Sequence, residues 1–65
     1  MSCIVRSTVT IRGEPVDRHF VVLGEPNEIK AANAIRRTEG GVITIVGWHF
    51  PGGAKHYFPA RAPHA

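Results

Sequence analysis

Cysteine is almost absent from this chain. Cys3 stands alone, so no disulfide can close within it, and nothing points to an oxidising compartment. Long apolar runs are missing as well. No stretch approaches the roughly 20 apolar residues of a membrane span, and no run of signal-peptide length precedes Arg6 and Arg12. The cytoplasm is therefore the expected compartment, with no membrane partner. Dense charge of one sign is missing too. Eight Lys and Arg against five Asp and Glu leave a net charge of +3, yet no basic run exceeds Arg36-Arg37. That balance favours acidic partners, nucleic acid among them, although a mixed solvated surface explains most of it.

Motifs that force a chemistry are also lacking. Neither Gly40-Gly41 nor Gly52-Gly53 leads into the Lys-Ser or Lys-Thr of a phosphate loop. The histidines His19, His49, His56 and His64 fit no zinc-ligand spacing, even with Cys3 added. Cys3 is a conceivable nucleophile, but no base and orienting group accompany it. A lone cysteine on an apolar strand is more often a small buried hydrophobe. The expectation is a protein with no catalytic residue, no metal and no cofactor, hence not an enzyme.

What the sequence does contain is the composition of a folded domain, 43% hydrophobic and 20% charged. Residues 3–12 alternate: Cys3, Val5, Ser7, Val9 and Ile11 share one face, and Ile4, Arg6, Thr8, Thr10 and Arg12 the other. Period two with β-branched residues predicts a strand. Gly13-Glu14-Pro15 punctuates, and residues 16–23 form a second strand with a poorer alternation. The short link makes the two an antiparallel hairpin. Pro26, Glu25 and Glu28 mark a helix start. A helix is predicted over about 26–38, with Ile29, Ala31, Ala32 and Ile35 as its apolar stripe and Gly40-Gly41 as its stop.

Residues 42–50 are apolar on both faces, which predicts a central strand covered on both sides. With a loop over 51–54, a short strand at 55–58 would pair Phe50 with Lys55, His49 with His56 and Trp48 with Tyr57. The two imidazoles would then repel each other when protonated. The predicted architecture is a single α+β domain over 1–58, in ββαββ order. A mainly antiparallel sheet of three to four strands, in the order 2-1-3-4, carries one helix on one face. A Pro/Ala-rich flexible tail is expected over 59–65.

One patch is chemically rich. Trp48, Phe50, Tyr57 and Phe58 interleave with His49, Lys55, His56 and Arg61, a mixture that suits base stacking or a protein interface. Arg6 and Arg12 lie along the polar stripe of the first strand with Arg18 opposite. The candidate partner-binding residues are thus Arg6, Arg12, Arg18, Trp48, His49, Lys55, His56, Tyr57 and Arg61.

In size and layout, residues 3–58 resemble small phage and mobile-element proteins that block a bacterial machine, such as RNA polymerase inhibitors and anti-CRISPR proteins. No motif is shared, so the resemblance assigns no residue a role. It implies a non-enzymatic interaction protein that covers a surface on a larger protein or ribonucleoprotein assembly. The basic charge argues against DNA mimicry. The alternative is a nucleic-acid binder using the aromatic and basic sheet surface. A homodimer through an exposed strand edge is a further expectation.

Overall fold

The computed structural model describes residues 1–59. The chain runs β1 (Ser2–Ile11), β2 (Glu14–Val22), α1 (Glu28–Glu39), β3 (Val42–His49) and β4 (Lys55–Tyr57). The strands form one sheet in the order β2-β1-β3-β4, with every neighbouring pair antiparallel. This is the α+β, ββαββ domain that the patterning predicts. The tail expected over 59–65 falls outside the described residues beyond Pro59, and so do Arg61 and His64.

Alternation makes β1 the spine of the sheet. Cys3, Val5 and Ser7 are fully buried beneath α1, which packs across β1 and β3. Cys3, Val5 and Ala31 form the centre of the core, and Val22, Ile35, Ile43, Ile45 and Trp48 close around it. The Ser7 hydroxyl donates to the Gly40 carbonyl at 2.6 Å, pinning the end of α1 to β1. A partly buried bond of this kind contributes about 1 kcal/mol.

The helix differs from its expected outline at two points. It begins at Glu28, with Asn27 as its cap: the Asn27 carboxamide oxygen accepts from the Lys30 N–H at 3.1 Å. Pro26 precedes the cap, because Asn satisfies a free helical N–H and Pro has no group to do so. The buried stripe centres on Ala31 and Ile35, whereas Ile29 is 73% exposed. Ile29 lies two residues before Ala31, on the far side of a 3.6-residue turn. At the other end Gly40, with φ of 70°, donates its N–H to the Arg36 carbonyl at 3.1 Å.

The sheet departs from regular pairing once. Ile4 pairs with Gly47 and Val5 with Ile45, so Val46 is an extra residue on β3. This bulge shifts the phase of β3. Ile43, Ile45 and Trp48 all face α1, while Thr44 and Gly47 face away. The strand reads as apolar on both faces because its inward set changes parity halfway along.

The β3–β4 register also differs from expectation. His49 pairs with Lys55, Trp48 with His56 and Gly47 with Tyr57. The loop spans residues 50–54, one more than assumed. It is closed by Phe50 N–H to Ala54 O at 2.8 Å and Gly53 N–H to Phe50 O at 3.1 Å. Gly52 and Gly53, with φ of 92° and 101°, permit this wider turn. His49 and His56 therefore point to opposite faces, and the mutual repulsion expected of them does not arise.

Candidate binding groove

Among the described residues no helix covers the face of the sheet away from α1, yet Ile4 on that face is only 1% exposed. Gly47 explains why. It faces the same way as Ile4, and a Cβ there would run into the His56 carbonyl oxygen and come within 2.9 Å of the Tyr57 Cα. The β4 backbone occupies that space. The sheet curls, and β4 leans over its open face. The bulge anchors the curl, because the Val46 carbonyl accepts from the Phe58 N–H at 2.8 Å.

An open groove of about 1130 Å³ takes in this overhang. Arg6, His19, Thr44 and Tyr57 line it from the open face, with Val46 and Pro59 beside them, and Ile45, Phe58 and Glu28, which belong to the helix side, also border it. Its polar floor is one row of the sheet. Arg6 of β1 sits directly between His19 of β2 and Thr44 of β3, at the spacing where cross-strand side chains touch. Tyr57, 52% exposed, stands on the β4 side. The Arg6 Nε is buried and has no hydrogen-bond partner among the described residues. Leaving a buried donor unpaired costs roughly 1–3 kcal/mol, and more on a charged group. In the next row the Thr8 hydroxyl donates to Asp17 Oδ1 at 2.7 Å, so this carboxylate already has a partner.

The structure divides the sequence-derived candidates. Arg6 and Tyr57 meet in the groove. His49 and Lys55 pair on the same face of the sheet and do not line it. Trp48 and His56 turn to the helix side, where Phe58 stacks edge-on against each ring at 6.1 Å and 6.2 Å respectively. Arg18 also belongs to that side, across from Ser7 rather than Arg6. It pairs with Glu39 at 3.4 Å, a surface contact worth at most about 1 kcal/mol. Arg12 is exposed in the β1–β2 turn with φ of 53°. Sequence reasoning missed His19 and Thr44, since only the register reveals them as neighbours of Arg6.

Cys3 is wholly buried. Burial pushes its thiol pKa up, and the carboxylates of Glu28 and Glu25 push the same way. The thiolate is the reactive form, so the folded chain should alkylate with iodoacetamide roughly a hundredfold more slowly than the urea-unfolded chain, because reaction waits for opening. Equal rates would show that Cys3 is accessible. The raised pKa also sets a sign. Folding stability is complete below the ordinary thiol pKa and declines as pH rises above it, since the folded state then holds the extra proton.

Among the described residues no three His, Cys, Asp or Glu side chains gather as metal ligands do. No helix among them is long and apolar enough to cross a membrane. The molecule is thus a small α+β domain whose open sheet face is shaped into a groove. Neither a family model, nor a curated protein, nor a solved structure matches the chain.

Proposed function

We propose that this chain is a non-enzymatic interaction protein that receives part of a larger protein assembly in the groove beneath β4, and so masks a surface of that assembly. The observation that carries this reading is the curl itself. A small chain holds one face of its sheet uncovered by the helix and folds β4 over it, with Arg6 and Tyr57 converging on the hollow. Concave sites with mostly apolar walls and a few convergent polar groups are where proteins hold ligands. A blocking role of the kind played by phage and mobile-element inhibitors fits the size of the chain and needs no chemistry beyond occupancy.

Nucleic acid is the less favoured partner. Phosphate binding draws on several cations acting together, and here they are dispersed. Arg18 is engaged by Glu39, Lys30, Arg36 and Arg37 ride on α1, and among the described residues Arg6 is the one Arg or Lys lining the groove. A second copy of the chain is disfavoured at the β2 edge, where Pro15, Asp17 and Arg18 are residue types that block strand pairing.

Photo-crosslinking tests the reading. A benzophenone side chain at Tyr57 in the cells that make the protein should yield one discrete protein adduct. The same probe at Ile11, which is as exposed but at the far end of β1, should not. Identical adducts from both positions, or nucleic acid alone, would overturn the proposal.

A further inference from the structure

Resting on that reading, we infer that the groove is a carboxylate site: Arg6 anchors a carboxylate carried on an apolar or aromatic body.

The anchor comes first. Arg6 carries a permanent positive charge. It makes no hydrogen bond or ion pair with any described residue, and its Nε is buried. Buried polar groups in folded proteins are nearly always satisfied, and an unsatisfied one calls for a partner. The planar guanidinium fork matches a carboxylate with two parallel N–H···O bonds. His19 and Thr44 flank Arg6 on both sides in the same row, and both side chains can donate to an anion's remaining lone pairs.

The walls decide which anion. Val46 and Pro59 bring apolar surface to the same groove, and Tyr57 brings an aromatic ring, while the side chains of Ile45 and Phe58 border it from the helix side. A phosphate or polyphosphate would present its full charge to one cation and waste these walls. A carboxylate of single charge with an apolar body uses both. The charges around it are named on every side. Glu28, at the start of α1, borders the groove from the helix side, and its charge opposes an anion. Asp17 of β2 lies one row away with its carboxylate on the Thr8 hydroxyl. His49 and Lys55 pair on the same face of the sheet. Among the described residues one Arg and one carboxylate border the groove, a balance that suits a ligand of single negative charge rather than several.

The test uses the full chain, labelled with nitrogen-15, titrated with N-acetylphenylalanine and separately with its amide. The two share a body and differ in the carboxylate. The acid should shift the amides around Arg6, His19 and Thr44 saturably, and the amide should bind about tenfold more weakly or worse, as the loss of a charge-assisted pair implies. Arg6→Gln should remove the difference between acid and amide. Glu28→Gln, at an exposed position, should tighten the acid a few-fold without touching the amide.

Inorganic phosphate and a peptide with a free C-terminus are the two further arms. A peptide that binds more tightly than the single residue places the carboxylate on a protein partner. One that binds no better assigns the site to a small organic acid. Equal affinity for acid and amide, or phosphate binding as strong as the acid, would overturn the carboxylate site, and the acid–amide comparison on the unaltered chain decides this even if Arg6→Gln fails to fold. The Tyr57 adduct tests the groove itself, so an adduct indifferent to Arg6→Gln would leave the interaction role standing while removing its anchor.

Discussion

Gly47→Ala should detach β4. The added Cβ meets the backbone of His56 and Tyr57, and neither can move aside as a flexible side chain would. Forcing extra atoms into packed space costs about 1–3 kcal/mol, with backbone collisions at the upper end. The strand held in place is short, Lys55–Tyr57, and cannot absorb that cost. Three results are expected together. The Phe58 amide, bonded to the Val46 carbonyl, should lose its protection from hydrogen exchange. Trp48 emission should shift to longer wavelength as Phe58 leaves its ring. Amides of the β1–β2 ladder should keep their protection. A variant whose Phe58 amide exchanges as slowly as before would mean that the curl does not depend on Gly47.

Ile4→Ala should cost more than any surface change. Truncating a buried isoleucine removes its transfer free energy and leaves a cavity, about 2–5 kcal/mol in all. Single cores in domains this small rarely supply more than about 3–5 kcal/mol. The variant is therefore expected to be largely unfolded at room temperature, as urea titration followed by Trp48 fluorescence would show. Leu23→Ala, at a residue 80% exposed, is the control and should change stability by no more than about 0.5 kcal/mol. If both variants unfold at the same urea concentration, Ile4 does not hold the open face together.

These two sites also separate what could be read in the chain from what could not. The alternation of β1 is complete, and it names Cys3, Val5 and Ser7 as the face under the helix. The short hairpin link, the helix and its glycine stop then follow from local chemistry, and strand order follows from connection geometry. The bulge has no such signature. Val46 is one more β-branched residue in a row of them, and the displaced phase of β3 looks the same in sequence as a strand buried on both faces. Gly47 was the available mark, since a glycine inside a strand often signals a bulge or a close backbone approach.

The groove depended on that missing register. Arg6 and Tyr57 were legible as polar and aromatic surface, but their convergence comes from the curl, and His19 and Thr44 join Arg6 only through pairings that no local pattern encodes. The loop over residues 50–54 misled for a related reason. Glycines with positive φ make several loop lengths equally acceptable, and a difference of one residue exchanges the faces of His49 and His56.

The central place of β1 governs when this molecule can come into being. β1 is made well before the partner it needs: Ser2 pairs with His49 and Thr8 with Val42. Closing such a long loop must precede the contacts that reward it, which slows folding. Ribosomes add roughly 5–20 residues each second, so for some seconds Cys3, Ile4 and Val5 have only the β2 hairpin for shelter. On this topology β1 emerges well before β3, the strand that covers it. The core waits for β3 to dock beside β1, and the curl and groove wait for β4 to follow it.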